Sequence, residues 1–363
     1  MDVLIICDPG AGEACAKEAQ NNGLKTRAIA RGHVTASGNK EQVAKALWHG
    51  QTILDLLLIV GEGKANSKFD FEQTEIKELL TKNKTFAVRS ASPDEIDHQE
   101  TNAEWGEQLD KLLEQKVDLE KPDLTFVPYI EDKKTILGIS LAGKDLRKRE
   151  YKVFTSNKSL RSTTAASCLR LAGYTGKENI LLPYENDGTL AIEAALIATQ
   201  TSPHKYQGGL AAQKYWPEDF KTITKEKEKD DVQIDVVAPT VQFLKAIQKN
   251  AKIAGVHKQL KVTKAELDWL DTKYDEHSKE LVIAALPCSG KKRPVKEIQK
   301  IIDEFAYQVK YVLKECGIVA AITLKAEEIT PSMLNRGYTV KATHEIMMGE
   351  QKMFLLMFEL KKG

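Results

Sequence analysis

Residues 178–198, "ENILLPYENDGTLAIEAALIA", read as a strand, a tight loop and a helix, and this unit recurs along the back half of the chain. "DVQIDVV" precedes the helix pattern "TVQFLKAIQKNAKIAG", and "ELVIAAL" precedes "VKEIQKIIDEFAYQVKYVLKECG" ahead of the strand "GIVAAITL". Strands that alternate with helices need crossover connections, so this half predicts a mostly parallel sheet with helices on both faces. The tail "YTVKATHEIMMGEQKMFLLMFEL" predicts a closing hairpin on the sheet edge.

The front half has a different grammar. "DVLIIC" predicts a strand, "GEACAKEAQNNG" a helix closed by Gly23, and "KTRAIARGHVTASG" one or two strands. "NKEQVAKALWHG" predicts a helix capped by Asn39 and ended at Gly50. The glycines of "DPGAGEAC" serve a strand-to-helix turn, since neither phosphate-loop pattern is present. Further on, "TFAVRSAS" alternates as a strand, "ETNAEWGEQLDKLLEQK" is an amphipathic helix, and "DLTFVPYIE" and "KTILGISLAG" are strands joined at "DKK". The charged run "TKEKEKDD" predicts a solvated loop.

A chain of 363 residues exceeds one ordinary core, and 42% hydrophobic with 29% charged residues describes a globular protein of two or three domains. The longest apolar run, "ILDLLLIV", is far below the roughly 20 residues of a membrane span and contains Asp55. The amino terminus lacks a basic segment followed by an apolar one, so a cytoplasmic protein is expected. Cys7, Cys15, Cys168, Cys288 and Cys316 are scattered without metal-ligand spacing, which predicts buried thiols and no metal. The net charge of +1 averages 53 basic against 52 acidic residues, so any polyanion surface must come from local patterning.

Three stretches of the front half, "TFAVRSAS", "GEQLDKLLEQKVDLEKPDLTFVPYI" and "LGISLAGKDLRKREYKVF", follow an order of Arg-bearing strand, helix, strand and Gly-x-x-Leu-x-x-Arg-x-Tyr exit. The back half adds "SLRSTTAASCLRLAGYTGKENILLPYENDGTLAIEAALIA", "KAIQKNAKIAGV" and "GEQKMFLLMFEL". With these the chain resembles, over nearly its whole length, the THUMP-domain RNA methyltransferases, the group that includes archaeal tRNA and bacterial rRNA enzymes acting on the exocyclic amine of guanine. The resemblance implies an α/β protein in which a ferredoxin-like and THUMP α+β module precedes a Rossmann-type (class I) methyltransferase domain. It divides the chain into a ferredoxin-like part (1–55), a THUMP domain (56–150), a linker (151–165) and the methyltransferase domain (166–363). S-adenosylmethionine is the cofactor it implies, and RNA, tRNA first, the partner.

The family's first motif sets Asp-Pro-Phe-Cys-Gly-Ser-Gly-Thr at the end of the first strand. Here Leu182 takes the Asp position, Pro183 and Tyr184 follow the pattern, Glu185, Asn186 and Asp187 replace Cys-Gly-Ser, and Gly188 and Thr189 return. Pro183, Tyr184, Gly188 and Thr189 are therefore the cofactor-binding candidates. Two carboxylates facing the cofactor's own carboxylate at roughly 4 Å and a dielectric of about 20 would each cost about 4 kcal/mol, or about three powers of ten in affinity. At the second motif, a carboxylate for the ribose hydroxyls, the chain offers Ala238, or Thr240 if the turn shifts; Asp235 serves only with a moved register.

The fourth motif, Asn or Asp-Pro-Pro-aromatic, is here Leu286, Pro287, Cys288 and Ser289, with neither the amine acceptor nor the stacking ring. "PCSG" also occurs in RNA cytosine-5 methyltransferases, where the thiol is the nucleophile. Here Ala285 replaces their Asp and the next strand lacks the second cysteine, so a packed Cys288 competes with a nucleophilic one.

Two basic clusters remain, Lys144, Arg147, Lys148, Arg149 and Lys152 at the exit of the front half, and Lys291, Lys292, Arg293 and Lys296 after the fourth motif. Together with Arg89 they are the candidates for phosphate contacts. Three readings stand at this point: an RNA-binding, non-catalytic partner of an active methyltransferase; an active guanine methyltransferase with an altered pocket; and a protein-interaction scaffold.

Overall fold

A computed structural model describes residues 1–156, 159–206, 208–225, 231–291 and 293–361. The chain runs β1 (Asp2–Cys7), α1 (Gly12–Asn21), β2 (Lys25–Ile29), β3 (His33–Ser37), α2 (Lys40–His49), β4 (Ile53–Glu62), α3 (Thr74–Lys82) and β5 (Thr85–Val88). It continues α4 (His98–Leu112), β6 (Lys116–Val117), β7 (Leu124–Glu131), β8 (Lys134–Ser140), α5 (Ser162–Leu171), β9 (Ile180–Leu182) and α6 (Thr189–Thr199). Next come α7 (Ala211–Tyr215), α8 (Pro217–Ile223), β10 (Ile234–Ala238), α9 (Val241–Ile253), β11 (Leu260–Lys264) and α10 (Leu270–Lys273). The last elements are β12 (Lys279–Ala285), α11 (Val295–Val312), β13 (Leu313–Thr323), α12 (Ala326–Asn335), β14 (Tyr338–Met348) and β15 (Gln351–Leu360). Two compact units result, one of residues 1–147 and 207–226, the other of 148–206 and 227–363.

The first unit is one eight-stranded sheet in the order β2-β3-β1-β4-β8-β7-β5-β6. The border expected between residues 55 and 56 falls inside β4, which pairs with β1 on one side and β8 on the other. Local chemistry sets the elements as the sequence predicts. Asn39 caps α2 by accepting from Gln42 N–H at 2.9 Å, and the Gln42 side chain returns the bond to Asn39 N–H. Gly23, at φ +91°, closes the turn after α1.

The segment carrying α7 and α8 has no counterpart in the sequence reading. It leaves the back half of the chain after residue 206 and joins the core of the first unit, where Leu210, Tyr215, Trp216, Phe220 and Ile223 are buried with Leu47 and Trp48. Phe220 meets Trp48 edge to face at 6.2 Å. Tyr215 donates to the Asp123 carbonyl at 2.8 Å.

The second unit is a seven-stranded sheet in the order β11-β10-β9-β12-β13-β15-β14, parallel from β11 to β13 and closed by the expected antiparallel hairpin. After β9 the chain builds outward through β10 and β11, then returns to the other side of β9 with β12. The order therefore reverses at β9, and the crevice at the carboxyl ends of β9, β10 and β12 is where doubly wound sheets receive ligands. The run "TKEKEKDD" lies largely outside the described residues. Among the described residues no helix is long and apolar enough to cross a membrane.

Phe220→Ala removes a ring that is 4% exposed, and the expected loss is about 3–5 kcal/mol, read by urea unfolding. A loss below about 1 kcal/mol would mean that 208–225 is not part of the core.

Candidate functional site

Each element at the crevice contributes through the residue at which it ends. After β9 the backbone turns sharply, with Tyr184 at φ +71° and Gly188 at φ +85°. At this φ a side chain at Gly188 would be strained, and its Cβ would sit 3.2 Å from the Ile247 Cα, so α9 approaches closely there. The loop alternates. Tyr184 and Asn186 line a cavity of about 290 Å³ together with Phe243, Leu286, Pro287 and Cys288, whereas Glu185 and Asp187 are buried and absent from its wall.

The expectation that both carboxylates face the cofactor therefore needs correction. Asp187 Oδ1 accepts from Thr189 N–H at 3.1 Å and from Thr189 Oγ1 at 2.8 Å, so it takes up the first N–H of α6 from just outside the Gly188 N-cap. Glu185 Oε1 accepts from Asn186 N–H at 3.0 Å, and its own N–H donates to the Val237 carbonyl at 2.9 Å. Burial, with Asp187 as a like-charged neighbour, pushes the Glu185 carboxyl up to about 7 against the pull of the Asn186, Ala191 and Gly188 backbone N–H groups. Glu185 Oε2 and Asp187 Oδ2 are buried without a hydrogen-bond partner. Asn250, on α9, holds the loop from behind by donating to the Asp187 carbonyl at 2.8 Å and to the Phe154 carbonyl at 3.0 Å.

At the second motif β10 ends in buried Ala238, and Thr240 caps α9 by accepting from Phe243 N–H at 3.2 Å. Asp235 sits three residues earlier, roughly 10 Å down the strand. It is held there by Lys279 Nζ at 2.5 Å, so it cannot serve the crevice. At the fourth motif Leu286 N–H donates to the Ile322 carbonyl at 2.9 Å, and the Leu286 side chain offers no acceptor. Ser289 turns away from the cavity toward α12, its N–H donating to Glu328 at 2.9 Å and its Oγ accepting from Lys325 Nζ at 2.8 Å. Among the described residues the cavity wall contains no histidine, lysine or carboxylate that could activate Cys288.

Of the four cofactor candidates, only Tyr184 lines the cavity. Pro183 is buried, Gly188 packs on α9, and Thr189 is taken up by Asp187. The basic candidates also divide. Arg149 is buried, with its guanidinium 3.3 Å from Glu193 on α6, and Tyr151 donates to the same Glu193 oxygen at 2.8 Å. Lys152 is mostly buried against the Leu160 carbonyl, and that burial lowers its ammonium. Neither is open to a phosphate, because a charge paired or desolvated inside the protein cannot also neutralise an external one. Arg147 chelates Asp145 at 2.8 Å and Lys144 donates to the Gly208 carbonyl at 2.6 Å. Arg89, Lys148 and Lys291 are exposed, Arg293 lines the cavity, and Lys292 lies outside the described residues.

A more uniform basic region lies elsewhere in the chain. Residues 236–265 contain six lysines and no carboxylate, and all six lysines are exposed. A run of 30 residues without an acid, in a chain whose charges otherwise balance, is the signal that would have found it.

Because the folded chain holds the Glu185 proton more tightly than the unfolded one, this residue's contribution is present at low pH and is lost as pH rises from about 4.5 to about 7. Glu185→Gln should gain about 3 kcal/mol over the wild type across that window, measured by urea unfolding at each pH. Asp55, also raised to about 7 by burial, titrates in both proteins and cancels in the difference. A flat difference would contradict the buried placement.

With this geometry in hand, the RMKL-like methyltransferase domain family model matches residues 149–353. The tRNA (guanine(6)-N2)-methyltransferase of Methanocaldococcus jannaschii is 26% identical over 96% of this chain and 97% of that protein. The ribosomal RNA large subunit methyltransferase K/L of Vibrio campbellii is 31% identical over 38% of this chain, which spans only 21% of that protein. TrmN from Thermus thermophilus shares the fold, with a TM-score of 0.70 over 99% of both chains at 17% identity. The match over more than half of the sequence places the family beyond the fold alone: the chain belongs to the RMKL-like methyltransferases.

Proposed function

We propose that this protein binds RNA, tRNA being the expected class, on a methyltransferase scaffold that no longer holds S-adenosylmethionine, and that it serves as a non-catalytic partner in RNA modification. The observation that carries this reading is the first turn of α6. In nucleotide-binding loops the free N–H groups and positive pole at such a helix start meet the ligand. Here Asp187 engages that end from within the protein, and Glu185 is buried next to it.

The residues present do not fit the cofactor at its other contact either. Ala238 stands where a carboxylate would take both ribose hydroxyls. Two such hydrogen bonds at about 1–1.5 kcal/mol each amount to about two powers of ten in affinity. Displacing Asp187 from α6 would cost about a further 1 kcal/mol. Leu286 in place of the amine acceptor removes the means of holding a guanine. RNA comes to this chain from its family and from the named substrate of its near-full-length relative.

The open cavity beside Tyr184 and Phe243 favours the second reading, a guanine methyltransferase with an altered pocket. Calorimetric titration separates the two. Injection of S-adenosylmethionine to about 1 mM should give no binding heat, whereas saturation in the micromolar range would move the protein to the enzyme reading. Filter binding of a tRNA transcript should give an affinity that falls steeply with salt. The absence of salt-dependent affinity would remove the RNA reading.

A further inference from the structure

The acid-free stretch 236–265 has its most ordered part on α9. Lys245, Lys249 and Lys252 recur at four and three residues, which puts them on one helical face, and all three are exposed. Like charges at this spacing destabilise a helix, and α9 contains no carboxylate to relieve them. Among the described residues none of the three forms an ion pair. Lys252, in the last turn, is favoured by the helix dipole, but Lys245 and Lys249 are not explained in that way. Lys261 and Lys264 stand on the edge strand β11, where lysine guards against strand pairing, so they carry no weight here.

Two aromatic rings flank this face. Phe154 lies under Lys249 Nζ at 4.5 Å and is 39% exposed. Asn250 fixes it by accepting from Phe154 N–H and donating to the Phe154 carbonyl, both at 3.0 Å. Tyr206 is 61% exposed and stands over the carboxyl end of α9, so close that a side chain at Gly255 would meet its hydroxyl at 2.5 Å. Lys249 rests on the Phe154 ring, and among the described residues no carboxylate pairs with any of the three ammonium groups. The combination suits a strand whose phosphates meet cations and whose unstacked bases meet rings.

We infer that the α9 face of Lys245, Lys249 and Lys252, with Phe154 and Tyr206 beside it, is an RNA docking surface that follows the phosphate backbone and stacks unpaired bases. The inference rests on the RNA-binding reading and relocates its main contact, since Arg149, expected to serve it, is buried and Lys152 is held against the Leu160 carbonyl. An acidic protein or an anionic lipid surface could also meet lysines and rings, and RNA is chosen because the RNA-binding reading supplies it.

The test uses the full chain and fluorescence anisotropy with a labelled tRNA transcript between about 50 and 200 mM salt. The triple variant Lys245→Gln, Lys249→Gln, Lys252→Gln should bind at least about tenfold more weakly at the low-salt end, with a log–log slope shallower by about two to three. Phe154→Ala with Tyr206→Ala should lose about tenfold with the slope unchanged, because rings neutralise no phosphate. Lys77→Gln, Lys82→Gln, Lys111→Gln removes the same charge from exposed, carboxylate-paired lysines and should change neither quantity. If the wild type binds tRNA and the α9 variant binds it equally, the inference fails while the RNA-binding reading stands. An equal loss in the control variant would reduce the effect to net charge and overturn the inference. Loss of binding to phosphatidylserine vesicles with tRNA binding intact would overturn it in favour of a membrane. If the wild type binds no tRNA, both readings fall together.

Discussion

The first turn of α6 leaves backbone N–H groups that need acceptors, and Asp187 supplies one from within the chain, with Glu185 buried beside it. This choice sets the rest of the crevice. With the two carboxylates turned inward, the loop offers the cavity only Tyr184 and Asn186. Val237 and Asn250 then hold the loop from β10 and α9, so the capped form is tied at both ends. Glu185 is kept near neutrality by burial, which lets two carboxyl groups share one small space.

A second buried cluster lies behind the same helix. Glu193 on α6 receives Arg149 and Tyr151, and the Tyr151 hydroxyl accepts from Ser162 Oγ at 2.9 Å. The basic exit of the front half is thus partly a structural anchor for α6. The frame around the crevice is supported by packing and paired charge.

Hydrophobic period and turn chemistry made most of the second unit legible. The alternation of strand and helix predicts its parallel strands, and "GEQKMFLLMFEL" its closing hairpin, because burial on one or two faces leaves a direct mark on the residues. Asn39 and Gly50 mark the ends of α2 for the same local reason. The segment 208–225 was not legible, because its apolar residues find partners far off in sequence, Phe220 on Trp48 among them. The direction of Glu185 and Asp187 was hidden too, since a carboxylate on a loop reads as exposed until the helix start that it caps is known. Arg149 looked like part of an open basic run, and only the fold brings Glu193 to it. The α9 lysines were visible as a run without acids, but spacing on a helix, not density in sequence, is what makes them a surface.

The central claim is that the chain's own carboxylates close the helix start to a methyl donor. A crystal structure grown with S-adenosylhomocysteine at millimolar concentration examines this at the atoms concerned. The account predicts Asp187 still bonded to Thr189, Glu185 still buried, and no ligand density against Tyr184 and Asn186. A ligand seated there, with the loop swung open and Asp187 released from α6, would contradict it.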